Sequence, residues 1–420
     1  MRRAPLLILA LAVGVRAALL ASPMVPREWV MTGAQIEVDK VAASLATTGR
    51  YADPYAIPTG PTAHPLPIHT GLQALIDLVF GMTPAAAWAR SLAGILACGC
   101  AFAVLPWFAR RLGLGAAAGI AAGTVGAVIP LLGVDDVLGW LWNESMTAVA
   151  LALLAVAFLS RWQAASPPPP GRSFLLGVGA GAAFHLAPTL LPVVLGFAAF
   201  EAWWLRGGRR WAGLAVIACG ILVACVPWEW RLYRTFDELF FIRSNFGLEL
   251  RIGNHDGARA DVWATDVRAM HPGNNVEEAR RVASLGEARY MATLRDAARA
   301  WIASHPSEFA RLTASRAYHV WFGPPARPFQ ALPVAALTLM ALAGLARTLP
   351  RLGPPARAAV VIPLAAFPLV YYVVGYVPRY TYPLVGVLLV LAASAVVTPA
   401  GAARRASAKT GPEVSHATPH

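Results

Sequence analysis

Glu37 and Asp39 stand two residues apart in the stretch "QIEVDKVAASLATT", and Lys40 follows them. A carboxylate can take a proton from an attacking hydroxyl or offset a developing positive charge. At i and i+2 on a helix, two side chains point about 200° apart. The two acids therefore cannot work as a dyad, and one is expected to face a cavity while the other meets solvent or Lys40. The competing reading is that both are helix N-terminal charges on a surface helix. Further along, "GVDDVLGWLWNES" carries Asp135, Asp136 and Glu144, and "GYVPRYTYP" carries Arg379 among Tyr376, Tyr380 and Tyr382. A guanidinium fork suits a phosphate, and tyrosine rings suit a sugar or a lipid headgroup. The alternative for Arg379 and Tyr380 is an interfacial anchor in an aromatic belt. Asp135 and Asp136 also read as the terminus of an apolar span. Arg16 interrupts the first apolar run and has three readings: it snorkels outward, pairs with an acid, or meets a lipid phosphate.

Between these groups lies "GRYADPYAIPTGPTAHPLP", residues 49–67. Pro54, Pro58, Pro61, Pro65 and Pro67 restrict its backbone. Gly60 permits a turn beside Pro61. Tyr51, Tyr55 and His64 supply ring faces and hydrogen-bonding groups. The segment reads as one wall of a cavity, or as a rigid lid that touches no ligand. His64 and His69 without a converging third donor are a weak metal signal.

The elements that must position these residues are membrane helices. Of the 420 residues, 57% are hydrophobic and only 14% charged, against about 25% charged in an ordinary soluble domain. Ten apolar segments are expected over 4–22, 86–108, 113–133, 145–160, 173–187, 189–205, 211–228, 329–346, 358–377 and 381–398. Pro188 and Pro192 should make a tight or broken hairpin. The net charge of +13 reflects arginines in alternate connections: Arg2 and Arg3, Arg110 and Arg111, Arg161 and Arg172, Arg206 to Arg210, Arg347 to Arg357, and Arg404 to Lys409. The positive-inside rule puts all of these on the cytoplasmic side, and with them both termini. A nucleic-acid partner is not implied. Cys98, Cys100, Cys219 and Cys225 all fall in apolar runs and read as packing residues. The N-terminal run is expected to be an uncleaved first span.

Two long connections remain for the other face, 23–85 and 229–328. In the second, arginines and acids nearly balance, and two amphipathic helices are visible. One carries Met291, Leu294, Ala298, Trp301 and Ile302 on a face, and the other Phe309, Leu312, Arg316 and Val320. The sequence thus predicts an all-α polytopic transmembrane domain over 1–398 with a helical extracytoplasmic cap, followed by a disordered cytoplasmic tail over 399–420.

Several stretches together resemble the GT-C glycosyltransferase superfamily, and more narrowly its bacterial family 39-like, dolichyl-phosphate-mannose-protein mannosyltransferase-like members. They are "IEVDKVAASLATTGRYADPY", "GPTAHPLPIHTGLQALIDLVFG", "WNES", "FIRSNFGLELRIGNHDGA", "HPGNNVEEARRVASLGEARYMATLRDAARAWIASHP" and "PRYTYPL". Their order is kept across most of the chain. The resemblance implies a bundle of about ten spans in the inner (plasma) membrane. It also implies a sugar donor carried on a polyprenyl phosphate, and transfer to a hydroxyl acceptor on the extracytoplasmic side. By position Glu37 matches the catalytic acid, with Asp39 as its rival. The Asp-Glu doublet of protein mannosyltransferases and of the lipid A aminoarabinose transferase is replaced here by Ala34 and Gln35.

On that resemblance Glu37 is expected as general base, and Arg379, with Arg16, as the group that binds the donor phosphate. Asp135, Asp136 or Glu144 would orient the acceptor or a divalent cation, and Tyr55, His64 and Tyr380 would contact substrate. With no large C-terminal soluble domain after the last span, peptide capture of the oligosaccharyltransferase kind is not expected. Two other readings are a lipid or solute transporter or flippase, and a non-catalytic scaffold of the same fold. Against transport stand the absence of an internal repeat and of charges within paired broken spans.

Overall fold

The computed structural model describes residues 3–32, 36–164, 166, 168–205, 209–265 and 267–397. Ala34, Gln35 and the 399–420 tail lie outside the described residues. The chain is helical almost throughout. Among the described residues, extended pairing is limited to two isolated bridges, Ala52 with Pro61 and Asp261 with Tyr376. Seven described helices are long and apolar enough to cross a membrane: Ala4–Ala21, Pro84–Arg111, Trp142–Trp162, Trp211–Phe236, Pro328–Arg351, Pro354–Val374 and Pro378–Val396. All ten expected segments carry helix, but those over 113–133, 173–187 and 189–205 hold helices of only 13, 15 and 14 residues. Proline sets these limits, because it cannot donate to the helical ladder. Ala116–Val128 stops short of Pro130, and Pro188 opens a 3-10 turn between Pro170–Phe184 and Leu191–Trp204.

Large apolar side chains are exposed along the spans, among them Leu6, Leu175, Leu195, Leu332 and Leu342. A protein in water could not leave so much apolar surface uncovered, so this is a multi-pass membrane protein. Inside the bundle, small residues let backbones touch. A side chain at Gly177 or Gly220 would run into the facing carbonyl of Ile217 or Phe174, which is how Pro170–Phe184 and Arg209–Phe236 pack so closely. Arg161 ties three helices together, holding Glu201 at 2.7 Å and donating to Ser173 Oγ at 2.6 Å.

Residues 237–327 form a helical layer, called the cap below, of which the main helices are Phe246–Gly253, Val276–Leu285, Glu287–Ser304 and Pro306–Phe322. The amphipathic faces read from the sequence are the packed ones. Met291, Ala298 and Trp301 are buried on one helix, and Leu312, Arg316 and Val320 on the other. Arg316 fastens the cap to the bundle. Its guanidinium reaches the carbonyl oxygens of Val373, at 2.6 Å, and of Gly253, and Asn254 Oδ1 at 3.3 Å. Arg327 pairs with Asp261 at 2.8 Å beside the same turn.

Candidate functional site

The proline-rich stretch is held by its own turns and by the cap. Asp53 takes a left-handed backbone, with φ of 63°, and its carboxylate accepts the N–H groups of Thr59 and Gly60 at 2.9 and 2.8 Å. Gly60, with φ of 82°, supplies the turn expected next to Pro61. Beyond it, Glu287 of the cap works as a clamp. It accepts Thr62 Oγ1 at 2.5 Å, the Ala63 N–H at 2.8 Å and Ser244 Oγ at 2.6 Å. Burial pushes its carboxyl upward in pKa, while these three donors oppose the rise. Ser244 N–H in turn donates to Ala63 O, and Arg243 Nε to His64 O at 2.9 Å.

Tyr55 is buried in the cap among Leu248, Ile252, Val282 and Tyr290, and its hydroxyl bonds His64 Nδ1 at 3.0 Å. Burial raises the Tyr55 phenol well above its ordinary range and drops the His64 imidazole well below its own, with Arg243 and His271 adding to the drop. At neutral pH the pair is thus an uncharged phenol and an uncharged imidazole joined by one hydrogen bond. It locks the loop and carries no charge.

Glu37 opens the Ile36–Thr48 helix and is half-buried. Its Oε1 lies 3.5 Å from Nδ1 of His271. That nitrogen also accepts the Gly273 N–H at 3.0 Å. The His271 ring stands 5.8 Å from His64 and 6.4 Å from Tyr55, centroid to centroid. Glu37, His271, His64 and Tyr55 therefore form one contiguous group across the junction of first loop and cap. The two acids of the helix diverge, as their spacing requires. Asp39 lines a cavity of about 30 Å³ together with His69, Gln73, Arg90 and Trp142. Lys40 donates to Tyr55 O at 2.5 Å.

Arg379 lies in the 3-10 turn Pro378–Thr381 that leads into the last span. Its nearest acid is Glu144, from the first turn of Trp142–Trp162, at 3.8 Å. That is too long for a hydrogen bond. Arg379 Nε and Glu144 Oε2 are buried and have no hydrogen-bond partner. The negative groups acting on Arg379 are Glu144, Asp135 and Glu37, besides Tyr380. Its guanidinium lies 5.9 Å from the Tyr380 ring, which stacks on Tyr371 at 4.8 Å. Asp135 is raised by burial, with Arg379 opposing. His69 is driven down to about 3 by burial first and Arg379 second. One arginine thus sits within electrostatic reach of three candidate acids drawn from two separate stretches. Tyr376 and Tyr382 turn elsewhere, to His319 and to Cys98.

Arg16 and Asp136 require a correction. The structure seats them in one closed pair with both side chains inaccessible. Arg16 Nε and Nη2 hold the two Asp136 oxygens at 2.7 and 3.1 Å. Its remaining N–H groups reach the carbonyls of Ala12, Ala127 and Gly126. Asp136 further accepts from Cys98 Sγ and from the Leu131 N–H. Every donor of Arg16 is used, so no phosphate can recruit it. Asp136 is spent on fixing the first helix, not on a substrate. Of the readings open in the sequence, pairing with an acid is the one realised.

His271, Glu287 and Arg243 escaped the sequence reading. The "HPGNN" turn marks His271 as a loop residue, but nothing local ties it to Glu37. Among the described residues, no three His, Cys, Asp or Glu side chains converge as a cation site. Glu37 with His271 offers two donors at most.

No protein-family model matches the chain, and no curated protein matches it by sequence. Solved structures do. The archaeal oligosaccharyltransferase AglB from Archaeoglobus fulgidus, in complex with an inhibitory peptide and a dolichol-phosphate, superposes with a TM-score of 0.53 at 16% identity. The match covers 93% of this chain and 50% of that one. The Archaeoglobus fulgidus oligosaccharyltransferase in complex with Zn and sulfate gives 0.52 at 16% identity, over 92% of this chain and 48% of that one. The chain spans about half the length of these two structures. Nearly all of it follows their course, and it shares their GT-C fold.

Proposed function

We propose that the protein is a GT-C glycosyltransferase that moves a sugar from a polyprenyl-phosphate donor to a hydroxyl acceptor on the extracytoplasmic face of the plasma membrane. The observation that carries this reading is the incompletely neutralised Arg379. Its Nε is unpartnered, its nearest carboxylate stands off at 3.8 Å, and Glu37 acts on it from the first loop. A donor phosphate would complete its coordination, because a guanidinium fork matches phosphate oxygens. The acceptor oxygen bonds the anomeric carbon as the carbon–oxygen bond to phosphate breaks. The electron pair leaves on the phosphate oxygen beside Arg379, and the acceptor proton passes to Glu37. On this reading Glu144 and Asp135 hold acceptor hydroxyls, and Tyr380 offers a ring face beside Arg379. Tyr55 and His64 shape the loop wall behind Glu37. Among the described residues, no three His, Cys, Asp or Glu side chains converge to hold a divalent cation.

The dolichol-phosphate in one neighbour supports a lipid-linked donor. The test is incubation of the purified protein with a panel of polyprenyl-phosphate sugars and membrane-extracted acceptors, following release of polyprenyl phosphate. Release from one donor, coupled to acceptor labelling, is expected. Movement of the intact lipid-linked sugar across vesicles without release would establish a flippase instead.

A further inference from the structure

A second polar site lies apart from the Glu37 and Arg379 groups. The end of the Arg209–Phe236 helix and the start of the proline-rich stretch enclose a groove of about 460 Å³, lined by Arg50, Tyr51, Pro61, Trp228, Arg231 and Thr235 among others. Its volume is that of a small-molecule site. Arg50 and Arg231 give it positive charge, and no acid lines it. Arg231 lies against two rings that pack edge to face on each other, 4.9 Å from Tyr51 and 4.7 Å from Trp228. Its hydrogen bonding is nevertheless incomplete. Nη2 makes one long contact of 3.5 Å to Tyr51 O, and Nη1 is enclosed without a partner. Glu287 acts on it from a distance, but that carboxylate is occupied by Thr62, Ala63 and Ser244.

The position says what kind of ligand arrives. The helix that supplies Trp228 and Arg231 leaves Leu222, Val223, Val226 and Trp230 exposed, so its outer side faces acyl chains. Trp228, Trp230 and Tyr233, with Arg231 and Arg234 alternating among them, close its last turns. Such a mixture marks the lipid–water boundary. A groove at that level, basic and ring-walled, is open to the headgroup of a neighbouring lipid.

We propose that this groove binds the phosphate of an anionic glycerophospholipid, with Arg231 as its ligand and the Tyr51 and Trp228 rings as its walls. The bound lipid braces the proline-rich stretch against the Arg209–Phe236 helix from the membrane side.

The test is native mass spectrometry of the full chain in neutral detergent, titrated with phosphatidylglycerol, phosphatidylcholine, polyprenyl phosphate or glycerol 3-phosphate. One phosphatidylglycerol should be retained at least tenfold more tightly than phosphatidylcholine. Arg231→Ala should lose that preference, and Arg231→Lys should keep part of it. Thr235→Trp, which fills the groove from an exposed wall, should abolish retention with an unchanged circular dichroism spectrum. Thr235→Trp thereby keeps the test decisive if Arg231→Ala fails to fold. Equal retention by wild type and Thr235→Trp would overturn the proposal. So would displacement by glycerol 3-phosphate at matched concentration, which would mark a soluble-anion site. Preferential retention of polyprenyl phosphate would overturn the assignment to a glycerophospholipid.

Discussion

His271 Nδ1 accepts the Gly273 amide at 3.0 Å and faces Glu37 Oε1 at 3.5 Å. The Gly273 amide uses the lone pair of that nitrogen, so the cap brings a ring nitrogen beside Glu37 without hydrogen-bonding to it.

If Glu37 is the base, Glu37→Gln keeps the size of the side chain and removes the proton acceptor. Turnover should fall by about 10²- to 10⁴-fold, the range for a general base. The donor KM should move little. Steady-state kinetics in detergent measures both, and an unchanged turnover number would transfer the role to Asp39.

Arg379→Ala removes a charge-assisted contact to the donor phosphate. Such contacts are worth about 1.5–3 kcal/mol, so the donor KM should rise roughly ten- to hundredfold. Arg379→Lys should recover only part of this, since an ammonium cannot grip two oxygens at once. A donor titration with intact KM in both variants would reduce Arg379 to an interfacial anchor.

The Arg16–Asp136 pair should behave as structure. Arg16→Met or Asp136→Leu alone leaves an uncompensated buried charge and should cost about 3–5 kcal/mol, while the double variant should recover much of that. Thermal unfolding of the detergent-solubilised protein measures the cycle. The donor KM of surviving single variants should match wild type. A raised KM in Arg16→Met would restore a phosphate-binding role to Arg16.

His64 gives the fold a pH dependence. Its folded pKa lies well below the unfolded value of about 6.5. The unfolded chain therefore binds the extra proton first, and stability is complete above about pH 6.5 and declines on acidification. The slope approaches about 1.4 kcal/mol per pH unit for one histidine. His69, lowered to about 3, contributes with the same sign. Melting curves from pH 7.5 to 5.5 should show a smaller decline in His64→Gln than in wild type. Parallel curves would mean that His64 is protonated in place.

Much of this architecture was legible because apolar runs and proline positions are local signals. Much of the buried faces of Glu287–Ser304 and Pro306–Phe322 follows from their periodicity, though not Tyr290, which is fully buried. The divergence of Glu37 and Asp39 followed from helix geometry alone. What stayed hidden were contacts made at a distance. Nothing near Asp136 announces that Arg16, 120 residues earlier, will take it up. Nothing near Glu37 points to His271. Over 113–133 the helix covers only 13 residues of the apolar run, for a different reason. Hydropathy counts apolar residues and does not see Pro130, just before which this helix ends, whereas Pro227, Pro333 and Pro363 are accommodated inside helices.

The clamp at Glu287 also sets a timetable. Thr62 must wait for a partner 225 residues further along the chain. At about 5–20 residues per second of synthesis, that is roughly 10–45 seconds. Throughout this interval the proline-rich stretch has left the ribosome without its receptor. The prolines that stiffen it, and the Asp53 turn that closes on itself, keep it in shape until the cap arrives. The first loop is thus built to persist alone, and the cap is built to find it ready.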